Sequence, residues 1–200
     1  MAYVTCDLGV SADGFVAGPR QSLADPLGEG GERLHRWMFE TPQENTAELE
    51  AITAADAFIM GRNMFGPGRG DWDPEWSGWW GADPPYHKPV FVLTHHPRAD
   101  LVMQGGTTFC FVTGGLPEAA ARAREATGDG RIAVAGGAST VHQALAAGLI
   151  NELRLHVAPV LLGAGERLFA GIPPLALEQI SGRSASLVTH ITYRVLPPSA

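Results

Sequence analysis

Short apolar segments alternate with helical segments through most of this 200-residue chain, and apolar segments alone close it. Runs rich in β-branched residues predict buried strands, and runs of good helix formers between them predict crossover helices. After residue 152 strand-like segments follow one another without a helix, so short antiparallel connections are expected there. This order predicts an α/β fold with a mostly parallel central sheet and antiparallel C-terminal strands. The predicted strands are 3–10, 57–60, 90–94, 107–113, 131–135, 152–163, 175–180 and 186–196, and the predicted helices are 32–39, 43–55, 117–127 and 139–147.

The composition is that of one globular domain. Hydrophobic residues make up 45% of the chain and charged residues 18%, which indicates enough apolar surface for a core. No repeat, low-complexity tract or linker divides the chain, so residues 1–200 are predicted to form a single domain. The formal net charge of −7, without a basic stripe, gives no reason to expect nucleic acid as a partner.

Nothing in the sequence predicts export or membrane insertion. The N-terminus lacks a basic region followed by a long apolar run, and no apolar stretch reaches the roughly 20 residues that a membrane helix needs. The two cysteines, Cys6 and Cys110, lie in apolar segments without C-x-x-C spacing. Buried free thiols are therefore expected rather than a disulfide or a metal site. We accordingly expect a cytoplasmic protein that does not bind membranes.

Residues 131–145 (RIAVAGGASTVHQAL) join a strand, a Gly136-Gly137 turn and a helix in direct succession. Glycines without Cβ atoms allow a diphosphate to approach the backbone, and a helix N-terminus offers free N–H groups. Ser139 is predicted to cap that helix and Gly148 to end it. A tight turn between strand and helix explains the glycine pair equally well. The segment matches neither G-x-G-x-x-G nor a P-loop, since no Walker lysine follows.

A second strand ends in a group that can contact phosphate. Segment 57–66 (AFIMGRNMFG) places Gly61 after a strand and Arg62 in the first turn of a short helix. The planar guanidinium could grip a phosphate from there. An ordinary surface arginine is the alternative.

A third strand, in segment 90–98 (VFVLTHHPR), ends in a hydroxyl, two imidazoles and a guanidinium that could hold an adenosine and its ribose phosphate. His95 and His96 are adjacent on an extended segment, so their side chains point to opposite sides and a shared metal ion is not expected. All three segments stand at the C-terminal ends of predicted strands, which is the edge where open α/β sheets bind ligands.

With these motifs in this order, the chain resembles the dihydrofolate reductase superfamily, in particular the branch that contains the reductase domain of bifunctional riboflavin biosynthesis proteins. The resemblance implies a dihydrofolate-reductase-like three-layer sandwich that binds NADPH. It also implies hydride transfer to a C=O or C=N bond of a pterin- or pyrimidine-like heterocycle, as in dihydrofolate reductase or the phosphoribosylaminouracil reductase of riboflavin biosynthesis. The matching segments are SADGFVAG (11–18), MGRNMF (60–65), VFVLTHHPR (90–98), VAGGASTVHQAL (134–145) and NELRLHVAPVLLGAGERLF (151–169).

The resemblance also implies where the cofactor binds. The glycine pair and the helix after it would receive the diphosphate, the Gly61-Arg62 turn would lie against the diphosphate and the 2′-phosphate, and the third strand end would flank the adenosine ribose, helped by Arg98. The turn at 13–17 would lie beside the nicotinamide, and the hairpin 175–196 would complete the sheet and contribute to a homodimer. The implied cofactor-binding residues are Ala17, Gly61, Arg62, Thr94, His95, Gly136, Gly137, Ala138, Ser139, Thr140 and Val141.

Two carboxylates are candidates for proton delivery. Asp13 lies in the turn beside the expected nicotinamide, and Glu32 lies in the region where dihydrofolate reductases carry an acid. Turn formation beside Gly14 explains Asp13 as well, and a favourable place at a helix N-terminus explains Glu32. Asp7 is a further carboxylate in the first strand, and the sequence does not fix which face of the sheet it occupies.

The tryptophan-rich stretch 67–89 is predicted to be a long irregular loop. Trp72, Trp76, Trp79 and Trp80 could form a lid or a platform for a planar substrate, or they could cover the core or a dimer interface. A catalytically inactive NADP(H)- or small-molecule-binding protein of the same fold is the alternative to a reductase, and a flavin-dependent reductase is a third possibility.

Overall fold

The computed structural model describes residues 2–66 and 70–197. The strands are β1 (Tyr3–Ser11), β2 (Phe15–Ala17), β3 (Ala57–Gly61), β4 (Pro89–Leu93), β5 (Leu101–Val102), β6 (Thr108–Val112), β7 (Arg131–Gly136), β8 (Glu152–Ala158), β9 (Glu166–Arg167), β10 (Leu177–Ala185) and β11 (Val188–Val195). The helices are α1 (Arg36–Glu40), α2 (Thr46–Thr53), α3 (Arg62–Phe65), α4 (Gly115–Thr127) and α5 (Ala138–Ala146), with 3-10 turns at Gly31–His35, Pro42–Glu44 and Gln104–Gly106. Within the described residues, no helix combines the length and apolarity needed to span a bilayer.

One large sheet carries the fold, with the strand order β10-β11-β8-β1-β7-β3-β4-β6-β5. Neighbours from β8 to β6 are parallel, whereas β11, β10 and the short β5 run antiparallel to their neighbours. The predicted α/β fold with antiparallel C-terminal strands is therefore confirmed. The antiparallel strand β5 at the other edge was not predicted, because two residues carry no readable period.

Both faces of the sheet are covered, which gives three layers. On one face the alternate β1 residues Val4, Cys6, Leu8 and Val10 pack with α4 and α5. Alanines on the buried sides of these helices allow a close approach to the strands. On the other face an aromatic cluster built around Phe109 packs under α3 and the tryptophan-rich loop. Burial on both faces explains why the central strands lack a polar alternation.

Several predicted boundaries were wrong for local reasons. The predicted strand 152–163 ends at Ala158, because Pro159 has no N–H for the ladder. The predicted helix 43–55 is a 3-10 turn followed by α2. Ser139 does not cap α5; Gly137 does, and Ser139 lies inside the helix.

Other sequence expectations are confirmed. Cys6 and Cys110 are buried free thiols, and burial raises the pKa of both. The four-residue spacing of Glu118 and Arg122 also predicts an ion pair on α4. The structure has this pair, with 3.7 Å between Oε1 and Nη1. From residue 70 the predicted loop 67–89 contains no helix or strand before β4, and its first residues, 67–69, lie outside the described residues.

Candidate functional site

Three of the strand ends singled out in the sequence meet at one edge of the sheet. β3 lies between β7 and β4, with Met60 paired to Gly136 and Gly61 paired to Leu93. Thr94 follows directly and donates its amide to Val112 of the next strand. The Gly61, Thr94 and Gly136 segments are thus neighbours, as expected for carboxyl ends of parallel strands.

The Gly61 and Gly136-Gly137 turns lie in contact and favour residues without a Cβ atom. A Cβ atom on Gly61 would lie 2.7 Å from Oγ1 of Thr140, and one on Gly137 would lie 3.6 Å from Cα of Gly61. Gly136 and Gly137 also have φ of 137° and 71°, which residues with a Cβ rarely adopt. A register shift between Ile59 and Met60 in the pairing of β3 with β7 precedes the turn, and such bulges redirect strand ends.

The helix α5 begins directly at the second of these turns. Gly137 caps the helix without a side-chain hydrogen bond, and its carbonyl accepts the amides of Thr140 and Val141 at 2.9 and 3.1 Å. The amides of Ala138 and Ser139 have no acceptor within the helix by its geometry, so they are the groups available to an anion. Val141 is fully buried in the core, so the structure gives it a packing position rather than ligand contact.

Arg62 is held by the tryptophan-rich loop. Its guanidinium carbon lies 3.8 Å from the ring centroid of Trp72, and Nη1 donates to the carbonyl of Gly70 at 2.5 Å. Nη2 is 3.4 Å from the carbonyl of Asp71, whereas Nε is buried without a hydrogen-bond partner among the described residues. Burial lowers the pKa of Arg62, yet a guanidinium remains charged at any physiological pH.

The end of β4 is a compact turn beside the same loop. Thr94 is buried, and its hydroxyl both accepts the His96 amide at 3.1 Å and donates to the His96 carbonyl at 3.2 Å. His95 is exposed to solvent at this edge. The side chain of Arg98 lies 5.2 Å above the Phe111 ring and donates to the Pro74 carbonyl at 3.1 Å. No group of acidic, histidine and cysteine side chains in residues 2–66 and 70–197 is arranged to hold a metal ion.

The tryptophans fix the loop to the core. Nε1 of Trp72 donates to His96, and Nε1 of Trp76 donates to the carbonyl of Phe65 at 2.9 Å. Trp80 stacks on Phe109 with 5.8 Å between ring centroids. These contacts favour a covering role for the three indoles, while Trp72 also forms one wall around Arg62.

The turn at the end of β1 is anchored by Asp13. One carboxylate oxygen accepts the Ser11 hydroxyl at 2.6 Å and the Leu162 amide at 3.1 Å, and the other accepts the Gly163 amide at 2.7 Å. The hydrogen bond from Ser11, followed by the two amides, lowers the pKa of Asp13 to about 2. A group that stays ionised near neutral pH is poorly suited to deliver a proton, so the geometry supports the anchoring role. Glu32 is exposed in the 3-10 turn and is not brought to the three strand ends.

A polar cavity of about 410 Å³ opens beside this turn. Ala17 is buried and does not line the cavity, whereas the adjoining Gly18 is part of the cavity wall. The sequence analysis did not predict the cavity, because its lining residues come from segments far apart in the chain that only the fold brings together. The lining residues are Gly18, Pro19, Arg20, Gln21, Pro26, Asn63, Gly165 and Glu166.

A sequence model described as the RibD C-terminal domain matches residues 2–190, nearly the whole chain. The chain belongs to the RibD C-terminal domain family. Membership confirms the resemblance drawn from the motifs. No curated protein matches this RibD C-terminal domain chain.

Solved structures share the fold of this RibD C-terminal domain. A protein assigned to riboflavin biosynthesis in Shewanella sp. PV-4 is 26% identical, with 98% of this chain and 100% of that chain covered and a TM-score of 0.66. Dihydrofolate reductase from Enterococcus faecalis, complexed with NADP(H) and RAB-propyl, is 14% identical, with 96% of each chain covered and a TM-score of 0.61. A bifunctional deaminase/reductase from Thermotoga maritima is 12% identical, with 98% of this chain but 57% of that chain covered and a TM-score of 0.61.

Proposed function

We propose that the protein is an NADPH-dependent oxidoreductase that transfers a hydride to a C=O or C=N bond of a small pterin- or pyrimidine-like heterocycle. The observation that carries this proposal is the pair of glycine turns at Gly61 and Gly136-Gly137, which lie side by side at one sheet edge, carry no Cβ atom and directly precede α3 and α5. Such turns suit a diphosphate, since it needs close backbone approach and N–H donors. The enterococcal dihydrofolate reductase of this fold is complexed with NADP(H), which supports the choice of cofactor.

The residues of the site have separate tasks in this proposal. Ala138 and Ser139 donate their amides to the diphosphate, and Arg62 pairs with the 2′-phosphate by exchanging its carbonyl partners at Gly70 and Asp71 for charged oxygens. That exchange is favourable because charged phosphate oxygens attract the guanidinium more strongly than neutral carbonyl oxygens do, and the planar fork can bind two of them at once. Bound NADPH supplies the hydride.

The substrate would enter the polar cavity next to the β1 turn. Its volume of about 410 Å³ suits a small heterocycle, and the amide of Asn63 together with Gln21 and Glu166 offers donors and acceptors for ring nitrogens and carbonyls. The Asp13 anchor holds the turn and the 162–163 segment together, so it positions one wall of the cavity without itself moving a proton.

We propose that the protein works in the cytoplasm as a homodimer, with the small heterocycle as its partner and without nucleic acid or membrane. Cys6 and Cys110 are free thiols, which suits a reducing compartment. The outer strand β10 leaves Leu177 and Ile180 exposed, and a second copy could cover them.

Nucleotide titration tests the cofactor assignment. Arg62→Ala should weaken NADPH binding by about tenfold or more while leaving NADH binding nearly unchanged, because only NADPH carries the 2′-phosphate. Gly137→Val should abolish binding of both. Arg122→Ala, on the outer surface of α4, is the matched control and should bind as the wild type does. Failure of the wild-type protein to bind either nucleotide would overturn the proposal.

The second candidate is a binding protein that keeps the cofactor site and has no turnover. It is favoured by one observation: the Asp13 carboxylate is ionised and already accepts hydrogen bonds from Ser11, Leu162 and Gly163. Consumption of NADPH with any member of a pterin and pyrimidine panel excludes this candidate. Tight NADPH binding without consumption across the panel favours it.

A further inference from the structure

A buried polar layer lies on one face of the sheet, away from the cofactor turns. Asp7 on β1 is in register with Arg154 on β8, and the next residue on that face of β8 is His156, in register with His190 on β11. The exposed fractions of the Asp7 and His156 side chains are 7% and 3%. The family match and the proposed reaction assign nothing to these groups.

The two imidazoles form a continuous hydrogen-bonded chain with Asn45. The Nδ1 atoms of His156 and His190 are 2.8 Å apart, and Nε2 of His190 is 2.8 Å from Oδ1 of Asn45. The Asn45 amide is oriented without ambiguity, since its Nδ2 donates to the Thr41 carbonyl at 2.7 Å and its Oδ1 accepts from Arg183 at 3.1 Å. Asn45 Oδ1 is thus an acceptor, and Nε2 of His190 must carry a hydrogen.

The number of hydrogens that fit between these groups then limits the protonation states of His156 and Asp7. The short contact between the two Nδ1 atoms can hold one hydrogen, so both imidazoles cannot be cations at once. Burial lowers the pKa of His190 and so favours its neutral form, in which Nδ1 has no hydrogen; the shared hydrogen then belongs to Nδ1 of His156. Its Nε2 then faces Oδ1 of Asp7 at 3.6 Å, while Oδ2 of Asp7 lies 3.5 Å from Nη1 of Arg154, and neither oxygen accepts a close hydrogen bond within the described part of the chain. A bare nitrogen facing an ionised oxygen in a buried site would be strongly unfavourable.

We propose that Asp7 and His156 share one retained proton at neutral pH, and that the Asp7–His156–His190 chain docks α1 and α2 onto the sheet only while at most one imidazole is charged. The imidazoles contact both helices directly. Asn45 precedes α2, and the Trp37 indole of α1 packs against both imidazoles at 4.9 and 5.0 Å between ring centroids. A second charged imidazole would force the two Nδ1–H groups apart. The Asn45 and Trp37 contacts would then be lost.

The groups around the chain favour this distribution. Burial and the neighbouring His156 lower the pKa of His190 to about 4, with Glu48 opposing the shift and Arg183 adding to it. His35 packs against Gly9, where a Cβ atom would lie 3.0 Å from its Cε1, and burial followed by His156 lowers its pKa. The charged and titratable groups that face the chain are Arg154 and Glu152 on β8, Glu48 on α2, Arg183 on β10 and His35 in the 3-10 turn.

Nitrogen-15 NMR of the imidazoles, with carbon-13 NMR of the Asp7 carboxyl, tests the proton count in the full chain. At pH 7 we expect either two protonated nitrogens on His156 with an ionised Asp7, or a bare Nε2 with a protonated Asp7. A bare Nε2 facing an ionised Asp7 overturns the proposal. In Asp7→Asn the amide can donate to Nε2, so His156 should become neutral; the exposed His95 serves as the internal reference.

Amide hydrogen exchange tests whether the two imidazoles hold α2 on the sheet. Exchange of the α2 amides, corrected for its intrinsic pH dependence, should rise about tenfold for each pH unit lost as a second imidazole charges below pH 6. His190→Gln keeps a donor for Asn45 but cannot take up a proton, so the rise should disappear. An equal rise in wild type and His190→Gln overturns the docking claim. The wild-type NMR result stands on its own if His190→Gln does not fold. Neither test involves nucleotide, so their failure is separate from failure of the proposed function.

Discussion

Replacing Gly61 by alanine adds one methyl group where two turns meet, and its effect can be worked out from the structure. Gly61 has φ −75° and ψ 156°, so alanine is allowed there by the backbone. The new Cβ would meet Oγ1 of Thr140 at 2.7 Å, whereas its next contacts, at 3.7 and 3.8 Å, are ordinary. The cost therefore arises from a single atom of a side chain that α5 holds in place.

Overpacking of this kind costs about 1–3 kcal/mol, while exchange of glycine for alanine at an allowed backbone position returns about 0.4–1 kcal/mol. We expect a net loss of about 1–2 kcal/mol in the free energy of unfolding, or a fall in Tm of roughly 2–8 °C for a chain of this size. The start of α5 must shift to relieve the contact. NADPH affinity should therefore fall by about tenfold, which corresponds to about 1.4 kcal/mol.

A double-mutant cycle isolates the contact. Thr140→Ala removes Oγ1, so Gly61→Ala with Thr140→Ala should recover the lost stability to within about 0.5 kcal/mol of the Thr140→Ala single variant. Gly182→Ala is the matched control, since it faces only the flexible end of Gln179 on the exposed strand β10. Thermal unfolding and nucleotide titration are the assays. A wild-type Tm for Gly61→Ala, or a double variant that melts no higher than Gly61→Ala alone, refutes the reasoning.

Three further predictions concern other parts of the molecule. The pKa of His190 is about 4 in the folded state against an ordinary 6.5, so the folded state binds fewer protons than the unfolded state between those two pH values. The free energy of unfolding should therefore be greatest above pH 6.5 and fall by about 1–3 kcal/mol toward pH 4. Urea titrations measure this fall, which should be smaller in His190→Gln. Asp13→Asn should speed hydrogen exchange at the Leu162 and Gly163 amides, because an amide group cannot accept both; unchanged exchange there would contradict the anchoring role. Trp76→Phe removes the hydrogen bond to Phe65 and should cost about 1 kcal/mol in thermal unfolding, whereas a wild-type Tm would show that the bond contributes nothing.

The parallel part of the sheet could be read from the sequence because strands that are buried on both faces are continuous apolar runs. AFIM at 57–60 and RIAVA at 131–135 lie within β3 and β7. The ends of other elements could not be read. The break after β8 depends on Pro159, and the start of α5 depends on a left-handed φ at Gly137, which competes with Ser139 as cap. Both are local backbone effects that periodicity does not record.

The candidate site also contains parts that the sequence indicated and parts that it did not. The glycine turns and Arg62 stood out because close backbone approach and phosphate contact demand particular residue types at strand ends. The Asp7–His156–His190 chain did not, because its members are far apart in sequence and meet only through strand register. The polar cavity was hidden for the same reason, since Asn63 and Glu166 are brought together by the fold alone.

The position of β1 in the sheet has a consequence for how the chain folds during synthesis. Both neighbours of β1 come late: Tyr3 pairs with Arg131 on β7, and Thr5 pairs with Glu152 on β8. The apolar strand β1 therefore leaves the ribosome long before either of its two partners in the sheet has been made. Such long-range pairing slows folding and leaves nascent apolar strands open to aggregation. We expect truncated or stalled nascent chains of this protein to depend on chaperones that hold the N-terminal strand until β7 and β8 emerge.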